Sequence, residues 1–499
     1  MAVALAAACG PGDPPERAEV VLSIGYAAPA DAGVAAGLEI IMEQLTREGL
    51  FRTGPDGRVE PMLAERWEVA PDGTAVTVVL RRNVAFHDGS PVTADDVKAS
   101  LDRIRKEPAR IARNPGLGDI ESIGTEGPHR VVINLARPSA QMLLLGLGNR
   151  VDKPGPEGQQ VTTGPFFVES RTEDEVTLRA NPHYYQGRSE IDTVRIKTYP
   201  TLRTAWAAMM RSEIDFLFEV PIEAREFVEA DSSVKVFSRE TPYAYALLFN
   251  TRRPPFDDRR VRVALSRAID REAIIESAFR GHGSVASGIW PSHWVYDGLE
   301  LTYDYDPRKA DRELSEIGLQ YPVPADRDST GGFPSRLSFE VLVGIGIDLA
   351  LFEPIALLMQ KQLRQIGVEM QIDARPFAEV NAKINGDSWD AVLLPLNTAR
   401  NLSRLYLYWH SSQRQYAVSG FAGADDVLES LRSSVTEADM RTSAREFQRV
   451  LFEAAPAIFL ASLEEARAVS RRFVVPDEPG RDVIETLWRW RVADPTSAN

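Results

Sequence analysis

Cysteine is nearly absent: Cys9 is the only one in 499 residues, which excludes an internal disulfide, a thiolate zinc cluster and a paired-thiol redox centre. Histidine is sparse. The six at 87, 129, 183, 282, 293 and 410 include no pair one helical turn apart, so no helix-borne zinc motif is present. No run approaches the roughly eighteen consecutive apolar residues of a membrane-spanning helix. Positive charge is in deficit, with 57 basic against 72 acidic residues and a net charge of -15, and this argues against general affinity for nucleic acid or an anionic membrane. Catalytic signatures are missing as well. "GIGIDL" at Gly344 lacks the third glycine of a dinucleotide fingerprint, Ser419 in "AVSGFAG" stands outside a Gly-x-Ser-x-Gly elbow, and no Walker loop occurs. No cofactor, metal or catalytic residue is therefore expected. Acids are plentiful, so a glycosidase pair stays open to inspection, and a hydrolase of peptides or sugars is the alternative from a different class.

What is present is enough apolar material, 44% of the chain, to fill more than one core, and 499 residues are too many for a single one. The chain opens "MAVALAAACGPGDPPERAE": a short apolar run of small residues ending in Cys9, then a Gly, Pro and charge-rich tether. This resembles the end of a bacterial lipoprotein signal, with Cys9 as the residue that would carry lipid. It departs from the usual pattern in the placement of Leu5 and in having no basic residue before the apolar run. The alternative is a secreted or cytosolic protein with an incidental free Cys.

"RWEVAPDGTAVTVVLR" places a Pro-Asp-Gly turn between two runs of period-two apolar character, with Val76, Val78 and Leu80 on one face, and predicts a hairpin. The next stretch packs His87, Asp88, Asp95 and Asp96 into ten residues and raises the question of a metal or acid/base site. Its local chemistry answers otherwise. Asp88-Gly89-Ser90-Pro91 is turn sequence, Thr93 is an N-cap, and Asp96 stands three residues on in the capping-box position. Val97, Leu101 and Ile104 then recur at helical spacing, which leaves His87 alone beside a turn and reads as scaffold.

Further on, "TGPFFVES", "EVTLRANPHYY" and "IDTVRIKTYPT" alternate as strands, and "YAYALLF" is a buried strand ending near Phe249-Asn250. Asp258 and Asp270 each start a helix, the second stopped by Gly281. The intervening Pro-Pro-Phe-Asp stretch is the expected crossing between lobes. "RLSFEVLV", the helix "FEPIALLMQKQLRQIG", "VEMQID" and "WDAVLLPL" imply a strand, helix, strand crossover in an α/β lobe. After the helix "MRTSAREFQRVLFEAA", the apolar "PAIFLASL" is a strand able to recross between lobes.

The blocks "LTREGLFRTGPDGRVEPMLAERWEVAPDGTAVTVVLRRNVAFHDGSPVTADDVKASLDRI", "TGPFFVE", "RANPHYY", "LLFNTRRPPFDDRRVRVALSRAIDREAII", "YDPRKADRELSEIG" and "QLRQIGVEMQI" fall in order from about residue 40 to 375. Together they resemble the extracellular solute-binding proteins of ABC transporters, in the dipeptide/oligopeptide/nickel-binding group (family 5). The resemblance implies a two-lobed α/β fold with an extra subdomain in the first lobe. Residues 1–19 would be signal remnant and tether, 20–253 lobe I with the subdomain at about 60–160, 254–465 lobe II, and 466–499 a return to lobe I. It further implies a monomer outside the cytoplasmic membrane, periplasmic or anchored through Cys9, that closes on a small-molecule or peptide ligand and delivers it to an ABC permease without covalent chemistry. Two lobes joined by crossing strands make a hinge, and ligand contacts favour the closed state. A ligand-dependent receptor for a sensor protein would use the same fold.

For the ligand, peptide-binding members carry an acid soon after the strand matching "WDAVLLPL". Here Leu393 to Tyr416 contains none and offers Asn397, Arg400, Asn401 and Arg404 instead. A buried ammonium without a carboxylate is costly, whereas guanidinium groups suit a carboxylate or phosphate. The alternative is that these arginines are solvated on the loop surface. Trp290 and Trp294 in a Gly/Pro-rich loop, Trp389, Tyr406 and Trp409 are candidate stacking residues, each alternatively core. Tyr26, after the first strand, and Asn250, at the end of another, complete the candidate ligand-binding set. His293 and His410 leave a metal chelate as a minor alternative.

Overall fold

The structure is a computed structural model. It describes residues 17–27, 35–148, 150–156, 158–241, 243–286, 288, 293–299, 301–321, 335–345, 349–397, 400–413 and 417–494. Cys9 and Trp290 lie outside them.

Two α/β lobes share one long strand. In the first lobe, Phe166–Arg171, Glu175–Ala180, Thr193–Tyr199, Val21–Ala27 and Phe216–Leu217 are neighbours in that order, and Val21–Ala27 runs parallel to Thr193–Tyr199. In the second, Tyr243–Phe249, Ala391–Asn397, Leu337–Ile345 and Val368–Pro376 follow one another. Leu337–Ile345 and Val368–Pro376 are parallel, joined by the helix Leu349–Arg364 as the crossover pattern requires. The strand Ala457–Ser470 belongs to both. Its beginning pairs with Tyr245–Leu248 and its end with Val234–Glu240 and Phe216–Leu217.

That strand carries two consecutive acids, Glu464 and Glu465, where it leaves one lobe for the other, and buried arginines answer both. Arg225 binds Glu464 at 2.8 Å, and Arg467 lies 3.3 Å from Glu465. The second passage is the step from Val234–Glu240 into Tyr243–Phe249, two consecutive strands that pair with opposite ends of Ala457–Ser470. The crossing therefore comes about a dozen residues before the prolines expected to make it. Phe256 of the Pro-Pro-Phe-Asp stretch is fully buried inside the second lobe, stacked on Phe249 at 4.8 Å. Prolines mark a break in a strand, but here the break is a turn within one core.

The extra subdomain is an antiparallel sheet in the order Ala64–Val69, Ala75–Leu80, Arg130–Leu135, Ile120–Thr125, with the expected hairpin as its first pair. Val76, Val78 and Leu80 point into a core shared with Val97, Leu101 and Ile104 of the helix Ala94–Ile104. Thr93 and Asp96 form the capping box: Thr93 Oγ1 accepts from the Asp96 backbone N–H, and the Asp96 carboxylate accepts from the Thr93 N–H at 2.9 Å. His87 is half-buried. Its Nε2 meets the Gly164 carbonyl at 2.9 Å, and burial lowers its pKa below the ordinary imidazole range. The stretch is scaffold, as its capping chemistry indicates.

Candidate functional site

A cavity of about 540 Å³ opens where the first lobe, the extra subdomain and the second lobe meet. Arg47 follows the first-lobe helix Ala35–Thr46, Arg113 ends the subdomain helix Pro108–Arg113, and Arg404 lies in the second-lobe helix Ser403–Trp409. Two bonds seat that last helix: Ser403 Oγ donates to the Arg113 carbonyl at 2.9 Å, and Asn401 Nδ2 donates to the Leu145 carbonyl at 2.8 Å. Its buried Leu405, Tyr406 and Trp409 hold the helix against the second-lobe core, leaving Arg404 on the cavity side.

Arg52, Arg110 and Arg150 also line the cavity, with Glu43, Glu48 and Glu485. Glu48 is 4% exposed; its Oε1 accepts from the Tyr184 hydroxyl at 2.7 Å, and its Oε2 has no partner among the described residues. Burial pushes its carboxyl up to about 8, against the smaller opposing effect of the tyrosine hydrogen bonds. Burial also raises Glu485, although Arg481 Nη1 stands 3.2 Å from it.

Around the cavity the lobes are fastened together. Arg432 binds Asp119, Arg137 binds Glu429 at 2.9 Å, and Gln141 donates to the Val435 carbonyl at 3.0 Å. On another side of the seam, the Trp294 backbone N–H donates to the Asp56 carbonyl at 3.0 Å, and the Arg58 guanidinium lies 4.6 Å over the indole. His293 is buried beside it, its pKa lowered to about 3 by desolvation. Gly57 makes the approach possible: its φ is +92° and a Cβ there would stand 2.2 Å from His293 Nε2.

The expected ligand residues divide. Arg404 lines the cavity, and Trp294 joins the lobes instead of stacking in the cavity. Arg400 is 9% exposed with a left-handed φ of 55°, and its guanidinium reaches the Gly480 carbonyl of the first lobe. It is neither on the loop surface nor in the cavity. Burial, with Arg239 nearby, lowers its pKa. Tyr26 is half-buried edge-on to Phe218 at 6.3 Å, its hydroxyl pKa raised by burial and by Glu219.

Asn250, Trp389 and Trp409, expected as ligand contacts, lie in the core of this structure: all three are at most 1% exposed. Asn250 Nδ2 donates to the Trp389 carbonyl at 3.1 Å, closing the end of a strand pair. Tyr406 is buried too, its hydroxyl 2.8 Å from Glu429 and its ring stacked on His410 at 4.2 Å. Asn397 ends the strand Ala391–Asn397, and its side chain lies outside the description. No group of three His, Cys, Asp or Glu able to hold a metal occurs among the described residues.

Sequence reasoning missed Arg47, Glu48 and Arg113. A basic residue at a helix C-terminus is ordinary dipole complementation, so Arg47 and Arg113 carry no distinguishing signal.

Residues 58–417 match the family model described as bacterial extracellular solute-binding proteins, family 5. The glutathione-binding protein GsiB of Salmonella choleraesuis is 27% identical over 68% of this chain and 65% of its own length. The chain thus spans about 65% of the length of the first curated relatives it matches. Among solved structures, NikA from Brucella suis in complex with Fe(III)-EDTA superposes with a TM-score of 0.82 at 21% identity, covering 94% of this chain and all of that one. The binding protein AgaA from A. tumefacien in complex with agropinic acid gives 0.73 at 25% identity, covering 96% and 99%.

Proposed function

The chain belongs to the bacterial extracellular solute-binding proteins of family 5, and on that premise we propose that it is the substrate-binding protein of an ABC importer, capturing a small polar or peptide-like solute between its lobes for a membrane permease. The observation that carries this reading is the cavity at the seam. Its 540 Å³ suit a small solute, and among the described residues the chain passes between the two lobes in two adjacent strand segments. Opening at those passages would split the wall carrying Arg404 from the walls carrying Arg47 and Arg113. Relatives similar to this chain are named as binding proteins for glutathione and heme, which accords with capture without turnover.

Anchoring through lipid on Cys9 belongs to the same proposal. Metabolic labelling with a fatty-acid analogue in the native and Cys9→Ser chains tests it, with label expected only in the former. For capture itself, small-angle scattering and thermal denaturation are measured with and without solute. A bound solute should reduce the radius of gyration and raise Tm together, and at about 100 times its Kd the stabilisation is about 2.7 kcal/mol. Stabilisation with no change in dimensions, or release of a chemically altered solute, would refute the reading.

A further inference from the structure

The chain as a whole carries a net charge of -15, yet its seam cavity is lined by six arginines and three glutamates. The acids are already engaged or neutral. Glu43 pairs with Arg150, and Glu485 lies 3.2 Å from Arg481, which is outside the lining set. Glu48, buried with one carboxylate oxygen unpartnered, holds its proton at neutral pH and contributes no negative charge. Arg52 is paired with Glu60 at 2.7 Å. Arg47 and Arg113 have no ion pair among the described residues, and Arg404 adds a third cation to the same walls.

These three arginines come from three bodies: the first lobe, the subdomain and the second lobe. The bond from Ser403 to the Arg113 carbonyl brings the helix carrying Arg404 against the end of the helix carrying Arg113. Bringing like charges together in a partly enclosed cavity opposes closure, and an anion placed among them reverses the sign of that work. Guanidinium groups are also the side chains best matched to planar or tetrahedral oxyanions.

Resting on the binding-protein reading, we propose that the solute is a small organic oxyanion, bearing carboxylate or phosphate, that Arg47, Arg113 and Arg404 clamp, and that its charge is what permits the lobes to close. Arg47 and Arg113 are then specificity determinants absent from the sequence-derived candidates. The buried Glu48 keeps the adjoining wall free of a competing negative charge.

The test uses the full chain and two readouts, titration calorimetry and small-angle scattering. Citrate and glutathione are the carboxylate probes, glucose 6-phosphate is the phosphate probe, and glucose and an N-acetylated, C-amidated dipeptide are the neutral ones. An oxyanion probe should bind and compact the chain, with affinity falling at least tenfold in Arg47→Met and in Arg113→Met and partly restored in the Lys variants. The carboxylate and phosphate arms separate the two oxyanion sources. In the absence of any probe, the Arg47→Met/Arg113→Met double variant should be more compact than the native chain, and Arg47→Lys/Arg113→Lys should not be. Compaction by a neutral probe with unchanged affinity in Arg113→Met would overturn the anion clamp while leaving the binding-protein reading standing. Unchanged dimensions of a folded, probe-free Met double variant would overturn the coupling of charge to closure.

Discussion

Arg432 forks onto Asp119, with Nη2 at 2.6 Å from one carboxylate oxygen and Nε at 3.0 Å from the other, and so ties the second-lobe helix Asp425–Arg432 to the extra subdomain. The Tyr406 hydroxyl lies 3.2 Å from the same guanidinium, and Glu429 accepts from both that hydroxyl and Arg137. This network spans the seam, so it stabilises this arrangement of the lobes and not either lobe alone. Arg432→Met should therefore weaken solute binding by about tenfold, roughly 1.4 kcal/mol after allowance for partial solvent exposure. Calorimetry with the tightest probe reads this directly. Equal affinity in the variant would mean that the pair forms after the affinity-determining step.

Glu48 links stability to pH. Its folded pKa of about 8 lies above its ordinary value of 4.5, so the folded chain keeps a proton that the unfolded chain has released. The contribution is complete below the ordinary value and is lost as pH rises through 8, with a slope of at most about 1.4 kcal/mol per pH unit. Glu48→Gln preserves an acceptor for Tyr184 and removes the titration. The Tm difference between variant and native chain should move in the variant's favour from pH 5 to pH 8 and level off above. A pH-independent offset would place Glu48 in a more solvated state.

Gly57→Ala should loosen the seam where Trp294 meets Arg58. The new Cβ meets His293, and φ of +92° disfavours any side chain. A cost of about 1–2 kcal/mol is expected in urea denaturation, together with weaker solute binding. Gly89→Ala is the control: its φ is +81° with nothing within 4 Å of a Cβ, so it carries the backbone strain alone. Equal effects of the two variants would remove the role assigned to the His293 contact.

Thr93→Ala removes the cap of the helix Ala94–Ile104 and should cost about 1 kcal/mol of stability. Solute affinity should stay unchanged, because the cap belongs to the subdomain's own fold and not to the cavity walls. A matching loss of affinity would show that the acidic stretch has a functional part.

Local chemistry was readable without coordinates. The hairpin at Ala64–Leu80, the capping box at Thr93 and Asp96, and the N-caps Asp258 and Asp270 each depend on neighbours a few residues apart in the chain. The same holds for Val76, Val78 and Leu80, whose alternation states which face is buried but not what covers it. Trp389 and Trp409 show where this kind of reading ends. An aromatic after a polar loop is compatible with a cleft or a core, and only long-range packing decides between them.

Arg400 and Arg404 make the division plain: four positions apart and chemically identical, they separate because a left-handed backbone at Arg400 turns its guanidinium to the Gly480 carbonyl while a helix carries Arg404 to the cavity. By itself the amino-acid sequence determined the element types, the caps, the α/β lobes and the lack of a thiol or histidine centre. It could not determine that Arg47, Arg113 and Arg404 share one cavity. That convergence depends on how the two lobes and the subdomain meet, and the energy of their meeting resides in contacts between residues hundreds of positions apart.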